Sequence, residues 1–162
     1  MSVQAHASRR IDALLAEYGE SHQNPTNKLI HWFAVPVIAW TVLALLWEIP
    51  TPAAFHGVPY LNWATIVSAL SVLYYVTLSI PLAIGMAVFT VVALWLIVLV
   101  KASTSVSLLW IALVLFAVAW VLQFVGHHVE GKKPSFLRDI QFLMVGPAWL
   151  MHFLYRRAGI PY

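Results

Sequence analysis

From Leu29 to Val129 the chain carries just two charged side chains, Glu48 and Lys101. A water-soluble domain spreads charge over roughly a quarter of its residues. Here charged residues make up 9% of 162 and hydrophobic ones 62%. That is too little polar material to cover a globule in water, so the solvent for most of this chain is a bilayer. The length suits a single domain over residues 1–162. The expected fold is all-α: an integral membrane helical bundle of about four transmembrane helices, an N-terminal amphipathic helix and a C-terminal re-entrant or interfacial helix.

The apolar runs predict spans at about 25–47, 61–79, 81–100 and 106–125, each near the roughly 20 residues that cross a hydrocarbon core. Asn24-Pro25 is a helix start, since Asn caps free N–H groups and Pro tolerates the first turn. Pro36 should kink the first span or free a carbonyl. Pro50, Pro52, Gly57 and Pro59 make 48–59 a loop. Ile11, Leu14, Leu15 and Tyr18 recur at helical spacing before the first span, and the scattered charges there do not fit a signal peptide. The last apolar stretch, 142–155, is short for a span and is interrupted by Gly146-Pro147, which suits a segment that folds back. With four spans, Arg9, Arg10, Lys28, Lys132, Lys133, Arg138, Arg156 and Arg157 share one face and Lys101 takes the other. That asymmetry puts both termini in the cytoplasm; the expected location is a bacterial inner membrane. The same basic residues flank apolar spans in ones and twos, which argues against nucleic acid as a partner.

Two polar clusters interrupt the apolar chain, Tyr18-Gly-Glu-Ser-His22-Gln-Asn24-Pro-Thr-Asn27-Lys-Leu-Ile-His31 and Gly126-His127-His128-Val-Glu130-Gly-Lys132-Lys133-Pro134. An even number of spans brings the start of the first and the end of the fourth to the same face. His22, His31 and His127 would then converge, with His152 joining if its segment folds back. Polar groups near an apolar core are costly unless paired or metal-bound. Cysteine is absent, so a metal would be held by nitrogen and oxygen, which suits Zn, Fe, Cu or Mn without choosing among them. Asn27, one turn before His31, would orient its ring. His127 and Glu130 share a helix face, whereas His127 and His128 point apart. The sequence has no His-Glu-x-x-His, no hydrolase triad and no Gly-rich phosphate loop. The spans lack the polar stations that a transport relay needs. Lys132, Lys133 and Arg138 form a basic patch, either a membrane anchor or a carboxylate-binding surface.

The two clusters together, with Gln123-Phe-Val-Gly126 leading into the second, resemble the Mpo-like family of small membrane proteins. The resemblance covers nearly the whole chain. It implies an Fe(II)-dependent dioxygenase of α-oxidation, which takes 2-hydroxy fatty acid and O2, cleaves C1–C2 and shortens the chain by one carbon. It also implies His22, His31 and His127 as iron ligands, Glu130 as the candidate catalytic acid and His152 as a fourth ligand candidate. Asn24, Asn27 and Asp139 would support the ligands, and Lys132, Lys133 and Arg138 would draw in the carboxylate. Membrane lipid is the expected surrounding, and homo-oligomerisation stays open. The alternative is a non-catalytic lipid-binding or assembly membrane protein whose histidines bind headgroups.

Overall fold

A computed structural model describes residues 9–133 and 141–162. Among these the secondary structure is helical throughout: α1 Arg10–Glu20, α2 Pro25–Glu48, α3 Trp63–Val76, α4 Ile80–Ser103, α5 Leu108–Glu130 and α6 Phe142–Ala158, with one 3-10 turn at Ala53–Phe55. The ends follow local chemistry. Asn24 accepts from the Thr26 N–H ahead of Pro25, Asn62 and Thr65 form a reciprocal capping box, and Ser79 caps α4 ahead of Pro81. Gly131 closes α5 at φ 71°, a left-handed conformation that costs glycine least.

α2, α4 and α5 are long and apolar enough to cross a membrane. At 24, 24 and 23 residues they run about 35 Å each. α3 has 14 residues, about 21 Å, shorter than the expected 61–79: the capping box starts it at Trp63, and it ends at Val76 ahead of Ser79, the cap of α4. α5 packs along α2, while α3 and α4 form a hairpin beside them. Glu130 of α5 reaches the start of α2, and Lys101 of α4 pairs with Glu48 at the end of α2 at 2.6 Å. These contacts fix an up-down-up-down order. Large apolar side chains such as Phe33, Trp95 and Trp110 face outward, each more than half exposed; in water this would be a liability, but in lipid it is the expected surface. Small residues sit where the spans touch, as Ala44 and Ala112 do, so the backbones approach closely.

α6 departs from expectation. It runs unbroken through Gly146-Pro147 for 17 residues. Pro147 removes the N–H that would have bonded to Leu143, and its ring loosens that turn. The Tyr75 hydroxyl of α3 donates to the neighbouring Met144 carbonyl at 2.6 Å, and Gln141 donates to the Tyr74 hydroxyl at 2.7 Å. α6 therefore docks at the end of the short α3, and its other face packs on α1 through Ile11, Leu15, Tyr18, Val145 and Trp149. The pair α1–α6 closes the end of the bundle where α2 begins and α5 finishes.

Candidate metal centre

His22 lies in the short connection between α1 and α2, His31 lies two turns into α2, and His127 lies in the last turn of α5. The packing of α5 on α2 brings them together. All three are buried, at 1%, 0% and 5% exposure, and their ligand atoms lie within 4.8 Å of one another. Among the described residues this is the one group of His, Asp or Glu with metal-binding spacing.

The ring nitrogens have separate duties. His22 Nδ1 lies 2.6 Å from the Tyr18 carbonyl, and His31 Nδ1 lies 2.9 Å from the Asn27 carbonyl. A carbonyl only accepts, so each Nδ1 carries the proton and each Nε2 presents a lone pair. Those two Nε2 atoms stand 2.9 Å apart. Two lone pairs cannot bond to each other at that distance; a cation between them resolves the conflict. Two nitrogens about 2.1 Å from one ion and at right angles would stand about 3.0 Å apart. His127 Nδ1 is also buried and has no protein partner. Three buried imidazoles, two of them with tautomers fixed by carbonyls, are a donor set that fits a divalent transition metal.

The surroundings keep the site dry. The Tyr18 ring stacks on His22 at 4.2 Å and 13°, and Trp149 tilts against it at 5.2 Å. Burial pushes the Tyr18 phenol well above its usual range. Burial, reinforced by the nearby His127, pulls His22 down to about 4 and keeps it neutral at physiological pH. Glu130 holds the connection in place: its carboxylate accepts from the Gln23 and Asn24 N–H groups, both at 2.8 Å, and from Asn27 Nδ2 at 3.0 Å. Asn27 also donates to the Ser21 carbonyl at 3.1 Å. A Cβ on Gly126 would run into Asn27 Oδ1, so glycine at that position is what lets α5 come this close to α2.

The Mpo1-like family model, described as 2-hydroxy-palmitic acid dioxygenase Mpo1-like, matches residues 8–158. The chain belongs to the Mpo1-like family. It is 30% identical over 154 residues to the 2-hydroxy-palmitic acid dioxygenase MPO1 of Saccharomyces cerevisiae (strain ATCC 204508 / S288c), covering 91% of this chain and 81% of that protein. No solved structure matches.

The remaining residues expected of this Mpo1-like site spread out. His152 stands outside the three-histidine group; its Nδ1 meets the Tyr162 hydroxyl, and Tyr162 in turn takes a hydrogen bond from Arg9 on its carbonyl. α6 runs unbroken through Gly146-Pro147 and turns Trp149, not His152, toward His22. Glu130, expected to be catalytic, has a carboxylate that accepts from the Gln23 and Asn24 N–H groups and the Asn27 amide. Asn24 spends its side chain on capping α2. Lys132 donates to the Glu20 carbonyl at the end of α1 at 2.7 Å, and Lys133 is exposed. His128 is exposed, as its divergence from His127 implied. Arg138 and Asp139 lie outside the described residues. Sequence reading passed over Tyr18 and Trp149 as walls of the site. Tyr18 lies four residues before His22, a spacing that pairs side chains only if the helical turn continues between them; Trp149 gave no local signal.

Proposed function

We propose that this protein is an Fe(II)-dependent dioxygenase that cleaves the C1–C2 bond of 2-hydroxy fatty acids and shortens them by one carbon. The observation that carries the proposal is the facing pair of Nε2 lone pairs on His22 and His31, 2.9 Å apart, with His127 beside them. The name of the yeast relative supports the substrate and reaction class. His22, His31 and His127 would hold the iron, which when bound supplies the O2 chemistry that splits the bond. The chain supplies the rest. The carbonyls of Tyr18 and Asn27 fix the two tautomers. Glu130 clamps the Gln23–Asn24 backbone so that His22 and His31 keep their spacing. The Tyr18 and Trp149 rings exclude water from the site's flank. Lys133, exposed beside the end of α5, attracts the substrate carboxylate. In this reading α2 to α5 span an inner membrane, α1 and α6 lie at the cytoplasmic interface, and both termini are cytoplasmic.

The test is iron analysis of anaerobically purified protein, joined to an assay for O2-dependent loss of one carbon from a 2-hydroxy fatty acid. About one iron per chain and turnover are expected in the wild type. Both should be lost in His22→Ala, His31→Ala and His127→Ala. Wild-type protein without metal, or alanine variants with undiminished turnover, would overturn the reading.

A further inference from the structure

A cavity of about 320 Å³ opens beside the histidines and runs down the bundle. Along α5 its wall is a single stripe: His127, Gln123, Trp120 and Phe116. Their spacing of four, three and four residues keeps them on one helix face. From His127 to Phe116 that stripe covers about 16 Å. Along α2 the facing wall descends from Val35 through Ala39 to Leu43, over a similar depth below His31. α5 makes little contact with α4, which leaves the space between them unfilled.

The lining is mostly apolar; besides His127 and Gln123 its small polar side chains are Ser68, Ser71 and Thr90. Its upper end holds His127 and Gln123. The Gln123 side chain is buried, with 8% exposure, and lies one turn below His127. Phe116, whose ring packs on Trp120 at 5.8 Å, and Leu43 line the end away from the histidines. A ligand suited to this space has a polar head at the histidines and a long, unbranched apolar tail. We infer that the cavity is the acyl-chain tunnel of the site, filled tail-first, and that Phe116 with Trp120 forms a floor that sets the chain length accepted. Ala39, two turns below His31, marks the middle of the tunnel, where a larger side chain would block it. This inference rests on the reading of the site as one that acts on a 2-hydroxy acid.

The experiment measures kcat/KM for a series of straight-chain 2-hydroxy acids of increasing length, in wild type, Phe116→Ala and Ala39→Phe. Each variant is checked for retained iron and a cooperative thermal transition. A methylene gained or lost in an apolar pocket is worth on the order of tenfold or more. Ala39→Phe should lose at least about tenfold on long acids while keeping turnover of short ones, and Phe116→Ala should shift preference toward longer acids. In parallel, unreactive fatty acids without the 2-hydroxyl are titrated against a bound fluorescent fatty-acid probe. If no 2-hydroxy acid is turned over but the variants still shift the length dependence of binding, the tunnel stands and the dioxygenase reading falls. If the length profiles of turnover and binding are the same in folded wild type and both variants, the tunnel is overturned.

Discussion

The charge state of His22 contributes to how acid affects this protein. Its folded-state pKa, near 4, lies below the roughly 6.5 of an unfolded histidine. The unfolded chain therefore binds the extra proton first. Stability is fully present above about pH 6.5 and is lost as pH falls toward 4, by at most about 1.4 kcal/mol per unit. Thermal melts of the iron-free protein in detergent at pH 7.5 and 5 should show a clear drop in Tm, and iron should be released over the same window, since ligation needs neutral imidazole. A Tm unchanged between those two pH values would show that His22 is not buried and neutral. Glu130 makes a second residue-scale prediction. Glu130→Ala leaves the Gln23 and Asn24 N–H groups and the Asn27 amide without their acceptor, and should weaken iron binding by about 10–100-fold. Glu130→Gln should recover part of that affinity, and iron titration of the two variants separates positioning from proton transfer. His22, His31 and His127 were legible in the sequence because imidazoles at the mouth of apolar spans need a partner. Tyr18 and Trp149 were not, because an aromatic in an apolar segment looks the same whether it walls a site or fills a core.

Hydropathy marks where a chain prefers lipid, not where a helix begins or ends. That is why α2, α4 and α5 were legible as spans, while α3 came out shorter than its apolar run. The Gly146-Pro147 pair was read as a break, as it would be in water. In an apolar setting a neighbouring group can attend to the loosened turn, and Tyr75 does so from α3 through the Met144 carbonyl. Tyr75→Phe should cost about 1 kcal/mol of stability, read as a lower Tm, with iron content preserved. The α2–α5 contact is tighter. Gly126→Ala forces a methyl group against Asn27 Oδ1, and overpacking of this kind costs about 1–3 kcal/mol. Because the Asn27 side chain donates to Glu130 and to the Ser21 carbonyl beside His22, the same substitution should also weaken iron binding. A Gly126→Ala protein with wild-type Tm and iron affinity would mean that α5 stands further from α2.

At the scale of the whole molecule, the position of the centre follows from counting spans. α2 and α5 share the centre at one end only if the chain crosses the bilayer an even number of times between Pro25 and Glu130. α3 decides that count, because its 14 residues fall short of the roughly 30 Å hydrocarbon core. α6 docks against the end of α3 through Tyr74 and Tyr75. The charge pattern agrees: Lys28 and Lys132 lie at the end that holds the centre, and Lys101 lies at the other. Arg9, Arg156 and Arg157 in and beside α1 and α6 add to the first group. The chain has no cysteine, so single substitutions can report sidedness directly. His128→Cys, exposed beside the centre, should react with a membrane-impermeant maleimide only after the cytoplasmic face is opened. Ser103→Cys, exposed at the end of α4, should react in intact spheroplasts. Reversed labelling, with His128→Cys reactive in intact spheroplasts and Ser103→Cys protected, would mean that α3 does not cross, and the histidines of α2 and α5 would then have to meet by some route other than an antiparallel pair of spans.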